Sequence, residues 1–267
     1  MNVGTSAIEL AGFGLLCFSV ALAGGLVGLV LGNLRLPASV SFSDTVSSGG
    51  GANVAISAVA ATTAAITHVR AGRINWALFG WLAPSSLAGG FAGGLIANLA
   101  PEDLLLGAIS LILFGTAMQL LRWAPPAAKH TADGDELPPP VQPTRRDKIT
   151  VATIGLVVGV LGGAVGLILG ALRLPALMRL TAEVPHRLVG TNLLAGVLVG
   201  VAGTIGHLTS GSSGFNAELF AVGAAASIPG AWLGAKLTGR LSPVGLVRAI
   251  GVVVVIAGAA MAIEAIN

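Results

Sequence analysis

The chain has 267 residues, of which 54% are hydrophobic, 9% are charged and 39 are glycine, and its mean hydropathy is +0.90. Globular domains carry roughly 25% charged residues, so this composition excludes an ordinary water-soluble domain and indicates an integral membrane protein. The pI near 9.8 does not indicate nucleic-acid binding, because the basic residues are dispersed over loops and helix ends. A single cysteine, Cys17, excludes an internal disulfide and a cysteine-based metal site.

Eight apolar stretches follow one another along the chain, and most approach the roughly 20 residues that a helix needs to cross a bilayer. They cover residues 10–34, 52–67, 76–99, 104–121, 150–172, 188–206, 217–237 and 244–263. Between the fourth and the fifth, residues 123–148 contain six prolines and mixed charges without an apolar period, which is typical of a flexible linker. The sequence therefore predicts a first membrane repeat over 1–122, the linker over 123–148 and a second membrane repeat over 149–267.

The two halves are related by duplication. GLVLGNLRLP at 28–37 and GLILGALRLP at 166–175 are identical at eight of ten positions. Further pairs follow in the same order: GAN with GTN at 51–53 and 190–192, and NWALF with NAELF at 75–79 and 216–220. A duplicated membrane unit is a common construction in secondary transporters.

The distribution of lysine and arginine in short loops predicts the sidedness of the chain, because these residues resist translocation. Arg70, Arg73 and the basic residues of the linker are expected on the cytoplasmic side. The loop at 98–103 and both termini lack lysine and arginine, so we expect them outside. The loop at 208–216 corresponds to the basic loop of the first half but has no basic residue, which indicates that the second half is inverted.

An inverted pair requires an odd number of elements in each half, whereas each half shows four apolar stretches. We predict the missing element at 37–48 and 175–187, which are too short to cross a hydrocarbon layer of roughly 30 Å as helices. Irregular backbone at membrane depth needs protein or a watery cavity beside it, so these segments are expected to be short, broken or re-entrant helices next to a cavity. The predicted fold is all-α: a polytopic membrane protein with two inverted repeats of about five helical elements each, four long crossings plus one short helix.

Two arginines lie within the repeated motif, and each precedes a proline by two residues. The prolines are expected to end the preceding helices. A charge at mid-membrane costs roughly 3 to more than 10 kcal/mol, so Arg35 and Arg173 indicate a functional role if they lie at depth. Near a helix end the same side chains can instead snorkel to the headgroups. Both interpretations stay open at this stage.

The GAN and GTN pair is predicted to open apolar helices. Asparagine or threonine at a helix start caps free backbone amides, and those amides together with the helix dipole attract anions. Two such starts that meet by pseudo-symmetry would form one midplane site. We therefore predict a site for a small oxyanion, with Arg35, Arg173, Asn53, Asn192 and Thr191 as substrate-binding residues, and with neither a metal nor a cofactor.

His68 and His207 lie fifteen residues beyond these asparagines, about 22 Å along a helix, and so mark the other end of the same crossings. A capping or interfacial role and proton coupling at a gate are both open for them. Asp44 and Glu183 in the short segments are candidates either to carry protons or to lie in water. Catalytic motifs such as G-x-S-x-G, H-E-x-x-H or a P-loop are absent from the sequence, so an enzyme is not predicted.

The second half contains, in order, GGAVGLILGALRLPAL, VPHRLVGTNLLAG, GHLTSG and PGAWLGAKLTGRLSP. This order resembles the sulfite exporter TauE/SafE family of membrane permeases, and the first half resembles it less closely. Both arginines stand where the family usually has an apolar residue, and Ala52 replaces a threonine. The resemblance implies a secondary transporter that exports sulfite, sulfonate or related small organosulfur anions by alternating access, driven by an ion gradient.

Two other functions stay open: an importer or channel for another small anion, and a non-transporting membrane scaffold. The expected partners are a small sulfur-containing oxyanion, the lipid bilayer and a coupling ion, either proton or sodium, without nucleic acid; a homodimer is left open. The expected location is the prokaryotic cytoplasmic (inner) membrane, with a multi-pass topology, the linker in the cytoplasm and both termini outside.

Overall fold

The computed structural model describes residues 7–43, 46–95, 137–165, 168–209 and 216–264, together with ten residues within 107–122. All regular structure in these ranges is helical, as predicted. The first half contains α1 (Ala7–Val27), a 3-10 turn (Gly32–Leu34), α2 (Leu36–Ser41), α3 (Val46–Arg70) and α4 (Trp76–Leu95), and the described residues within 107–122 are also helical. The second half contains α5 (Arg145–Val165), α6 (Gly170–Leu180), α7 (Pro185–Thr209), α8 (Ala217–Thr238) and α9 (Pro243–Glu264).

Four of the described helices are long and apolar enough to cross a membrane, judged by length and composition. They are α1, the Gly51–Arg70 part of α3, α8 and the Pro243–Ala260 part of α9. Large apolar side chains, such as Ile8, Leu15 and Phe91, point outward from the helices. Contiguous outward apolar surface of this kind is suited to lipid contact. The chain is therefore an all-α, polytopic membrane protein.

The short helices exist, but the predicted position of each break is wrong. α2 and α6 begin before the prolines of the repeated motif, so Pro37 and Pro175 lie inside helices instead of ending them. Pro37 is the second residue of α2, where the missing N–H is not needed by the helix. The first break lies upstream at Gly28, whose φ of +73° is a conformation that glycine adopts readily.

The helix that opens the second half starts earlier than expected. The N–H of Thr144 donates to Asp147 Oδ2 at 2.9 Å, and the N–H of Asp147 donates to Thr144 Oγ1 at 3.2 Å. This reciprocal pair is a capping box, which places the first residue of α5 at Arg145. Residues 145–148 are thus helical and not part of the linker, whereas residues 123–136 of the linker lie outside the described residues.

The first helix of each half packs along a helix of the other half. A Cβ added to Gly234 of α8 would meet the carbonyl oxygen of Leu22 in α1, and one added to Gly89 of α4 would meet that of Leu156 in α5. Glycine at these contacts lets the helix backbones approach closely, which strengthens packing where lipid removes the hydrophobic driving force. The two halves are therefore interlocked by the α1–α8 and α4–α5 pairs.

The centre of the bundle is the contact between α3 and α7. Gly190 near the start of α7 faces the carbonyl of Arg73 beyond the end of α3, whereas Gly200 faces Ala58 in the middle of α3. Along the contact, the residue number therefore increases in α7 while it decreases in α3, so the two helices run antiparallel. α3 and α7 are the corresponding helices of the duplicated halves, and this contact brings the two breaks together.

Candidate functional site

Arg35 is buried at the first break, between the 3-10 turn and α2, with 1% of its surface exposed. Its Nε donates to Asn53 Oδ1 at 3.0 Å, and its Nη2 donates to the Asn53 carbonyl at 3.1 Å and to Ser57 Oγ at 2.7 Å. The thiol of Cys17 is a further neighbour of the guanidinium. Among the described residues Arg35 forms no ion pair with a carboxylate.

Arg173 repeats this arrangement in the second half. Its Nε donates to Asn192 Oδ1 at 2.6 Å, and its Nη2 donates to the Asn192 carbonyl at 3.0 Å. Its Nη1 donates to Ser86 Oγ of α4 at 3.3 Å, and 3% of the residue is exposed. Neither arginine extends to a surface, so the snorkelling interpretation does not describe these side chains.

The asparagines and Thr191 are not helix caps, which corrects the prediction from the GAN and GTN pair. Asn53 is the eighth residue of α3 and Asn192 the eighth of α7. Thr191 Oγ1 donates to the carbonyl of Arg187 at 2.7 Å, a bond within α7. The helices begin a full two turns earlier, and the asparagine side-chain oxygens accept from the arginines instead of from helix amides.

The asparagines that do cap helices are the first residues of the matched segments NWALF at 75–79 and NAELF at 216–220. Asn75 Oδ1 accepts from the N–H of Leu78 at 3.0 Å at the start of α4, and Asn216 Oδ1 accepts from the N–H of Leu219 at 2.9 Å at the start of α8. The Nδ2 of Asn216 also donates to the carbonyl of Phe42, after α2. Asn216 therefore connects the start of α8 to the chain after α2, in the opposite half. Asn75 makes the equivalent connection from the start of α4 to Glu183 after α6.

Glu183, a candidate proton carrier, is a buried structural link after α6. It accepts from Asn75 Nδ2 at 2.6 Å and from the N–H of Val141 at 3.1 Å, and it forms an ion pair with Arg187 at 3.4 Å. Its carboxylate thus ties the end of the linker to the starts of α4 and α7, and it does not lie in water. Asp44 lies outside the described residues.

A small cavity of about 20 Å³, part of it open, lies beside Arg35 between α1, the first break and α3. The side chains of Arg35 and Ser57 are the polar part of its wall. The remaining lining residues are glycine or apolar: Val20, Ala21, Gly24, Gly25, Leu29, Val30, Leu31, Gly32, Ala60, Ala61, Ala64 and Leu193. This volume holds about one water molecule, so a larger ligand requires the cavity to widen.

The second break touches the first across the interface between the halves. Asn192 Nδ2 donates to the carbonyl of Gly28 at 2.7 Å, and a Cβ on Gly170 would lie 3.6 Å from the nitrogen of Val30. The predicted convergence of two broken segments is therefore present. Arg173 itself is not among the residues that line the cavity beside Arg35.

His68 is fully buried near the end of α3, one helical turn beyond the cavity residue Ala64. Its Nε2 lies 3.3 Å from the carbonyl oxygen of Gly25, which is also the acceptor for Thr238 Oγ1 at 3.3 Å. Its Nδ1 has no hydrogen-bond partner among the described residues. His207 belongs to the end of α7 whose side chains lie outside the described part, so its role is not addressed by these contacts.

Metal binding has no candidate in the part of the chain that the structure describes. Groups of three or more histidine, cysteine, aspartate or glutamate residues with suitable placement are absent there. Arg73 and His186 are close enough to His68 to interact with it electrostatically. His186 Nε2 lies 3.0 Å from the carbonyl of Leu241, and Arg73 Nη1 donates to the carbonyl of Ala235 at 3.0 Å. Both side chains are therefore hydrogen-bonded to backbone oxygens.

Comparison with known proteins agrees with this architecture. The family model for the sulfite exporter TauE/SafE matches residues 13–261, which includes both halves. The chain belongs to the TauE/SafE sulfite exporter family.

One curated relative of the TauE/SafE chain is the probable membrane transporter protein YunE of Bacillus subtilis (strain 168), 38% identical over 84 residues. That alignment covers 32% of this chain and 29% of the relative, so the chain matches less than a third of its length. No solved structure matches the chain.

Sequence reasoning missed the serines that bind the two arginines. Ser57 follows Asn53 by four residues and therefore shares its helix face, a spacing that was sufficient to find it. Ser86 lies 87 residues from Arg173, and its approach depends on the packing of α4 beside the second break. Only the tertiary structure reveals that contact.

We expect Asn192→Ala to lower the free energy of unfolding by about 2–4 kcal/mol, because it leaves Arg173 Nε and the Gly28 carbonyl without their partners in a buried setting. Asn53→Ala removes the corresponding partner of Arg35 without breaking a bond between the halves, so its loss should be smaller. Thermal unfolding of the two variants in the same detergent measures the difference. Equal destabilisation would contradict a role for Asn192 in joining the halves.

Proposed function

We propose that this transporter exports sulfite, sulfonate or a related small organosulfur anion by alternating access. The observation that carries the proposal is the buried guanidinium of Arg35 in the wall of a small cavity. A buried charge without a counter-charge is strongly unfavourable, and polar hydrogen bonds from Asn53 and Ser57 offset only part of that cost. An anion in the cavity would provide the missing negative charge.

The chemistry of arginine favours an oxyanion as this ligand. A guanidinium carries five N–H donors in a rigid plane, and three of them are used by Asn53 and Ser57. The two remaining N–H groups, both on Nη1, can donate charge-assisted hydrogen bonds to the oxygens of sulfite or a sulfonate. Lysine would supply the charge but not this planar pattern of donors.

Alternating access is supported by the relation between the halves. The same Arg–Asn unit occurs at each break, and the corresponding helices α3 and α7 run antiparallel. Inverted repeats of this kind exchange conformations when one half rocks against the other around a central site. We accordingly propose inverted repeats in the prokaryotic inner membrane, with the linker in the cytoplasm and both termini outside.

The proposal predicts that Arg35→Gln abolishes transport. Purified protein is reconstituted into liposomes loaded with sulfite, and sulfite release is measured with and without a proton or sodium gradient. Arg179→Gln is the matched control, because Arg179 is an exposed residue near the end of α6. We expect wild type and the control to release sulfite in response to a gradient, and Arg35→Gln to release none.

Each of the other outcomes of the release assay contradicts a stated part of the proposal. Release that does not depend on any gradient would indicate a channel. Failure of the wild-type protein to move sulfite, taurine or methanesulfonate in either direction would favour a scaffold and overturn the proposal. Full activity of Arg35→Gln would contradict the assignment of this arginine to the substrate.

We further propose that His68 is a gating residue that couples transport to protons. His68→Gln keeps a side-chain N–H for the Gly25 carbonyl but removes the titratable ring. The expected result is that sulfite exchange between equal concentrations persists while stimulation by a proton gradient is lost. Thr67→Ala on the neighbouring residue serves as the control, and undiminished stimulation in His68→Gln would contradict the assignment.

The inverted topology predicts opposite sidedness for two exposed positions at corresponding loops of the repeats. In a Cys17→Ala background, Arg70→Cys after α3 should react with a membrane-impermeant thiol reagent only from the cytoplasmic side. Ala217→Cys at the start of α8 should react only from outside. Labelling of both from one side of oriented vesicles would contradict inversion.

A further inference from the structure

We propose that Ser57 is a substrate-binding residue that completes, with Arg35, an oxyanion site in the first repeat only. This inference rests on the proposed transport of an anion and specifies its binding residues. Its distinguishing claim is that the hydroxyl of Ser57 donates to the anion. The duplicated half lacks this donor.

The hydroxyl of Ser57 differs from the other hydroxyls of α3. Thr62 and Thr63 donate to the carbonyls of Ala58 and Val59, four residues earlier, as is common for such side chains in helices. Ser57 Oγ instead accepts from Arg35 Nη2 at 2.7 Å, and its hydroxyl hydrogen has no acceptor among the described residues. Because Ser57 is 4% exposed and lines the cavity, this donor is available to a ligand there.

The first break contributes Val30 and Leu31 to the lining of the same cavity. The N–H of Leu29 donates to the carbonyl of Gly24 at 3.0 Å, which holds the break against the end of α1. The nitrogen of Val30 lies near the second break, 3.6 Å from a Cβ built on Gly170, so the donors assigned to the ligand are those of Ser57 and Arg35.

The donors of Arg35 and Ser57 belong to the cavity wall, and its lining residues include no carboxylate. A ligand that satisfies them must accept several hydrogen bonds and carry negative charge. An oxyanion with two or three unprotonated oxygens on one central atom fulfils both conditions, whereas chloride cannot bridge separated donors through distinct atoms. The apolar remainder of the wall is suited to the non-acidic side of a sulfonate.

The second repeat cannot form the same site, although it has the same Arg–Asn unit. Gly196 occupies the position that corresponds to Ser57, and a Cβ there would lie 2.9 Å from Cγ2 of Val30 and 3.7 Å from Arg173 Nη2. A serine in place of this glycine would therefore crowd the first break. Arg173 consequently acts through Asn192, whose side chain binds the carbonyl of Gly28, and positions the break that carries the donors.

The test measures binding of sulfite and of methanesulfonate to the full-length protein in detergent by calorimetry. Ser57→Ala should raise the Kd for both probes roughly tenfold or more, the loss expected for a hydrogen bond to a charged group. Ser57→Thr, which keeps the hydroxyl, should restore affinity to near the wild-type value. Thr62→Ala removes a hydroxyl of the same helix that is not in the cavity wall, and its Kd should equal that of wild type.

The outcomes separate this inference from the proposed function. If Ser57→Ala binds both probes as wild type does while Arg35→Gln does not, the role of Ser57 is overturned and the anion site at Arg35 stands. If Ser57→Thr loses affinity as Ser57→Ala does, the hydroxyl is not the binding group, and the inference also fails. If wild-type protein binds neither probe, both proposals fail.

Discussion

The structure depends on the burial of two guanidinium groups without carboxylate partners in the described residues. A cation in a low-dielectric interior must be satisfied by hydrogen bonds from fixed dipoles, or the helices around it would separate. Asn53 and Asn192 provide both a side-chain oxygen and a main-chain carbonyl to the arginine of their own repeat. These bonds fasten each short helix to the long helix that follows it and so hold both breaks in position.

The breaks can lie side by side because the halves are interlocked by close helix contacts. Glycines such as Gly89 and Gly234 remove the side chains that would keep α4 from α5 and α8 from α1. At the centre, Asn192 reaches the carbonyl of Gly28 and thereby joins the second Arg–Asn unit to the first break. A change in the packing of one half is consequently transmitted to the first break and to the cavity beside it.

Pseudo-symmetry in sequence does not produce two equivalent sites. Ser57 and Gly196 occupy corresponding positions, but only the serine provides a hydroxyl, and the cavity lies on that side. The serine that binds Arg173 comes from α4 of the opposite half. The arginine and asparagine thus occur at both breaks, while the residues around them differ between the halves.

The sequence by itself determined the membrane class, the helical fold and the duplication, because these follow from composition, stretch length and residue order, which are local properties. It also identified Arg35, Arg173, Asn53 and Asn192 as related pairs. Their partners were decided only by the tertiary structure. The capping prediction for Asn53 and Asn192 was wrong because a local pattern cannot show that α3 and α7 start two turns earlier, or that a buried guanidinium competes for the asparagine oxygen. The cavity, the bond from Asn192 to Gly28 and the contact of Ser86 with Arg173 arise from helices distant in sequence, and their energies exist only once those helices pack.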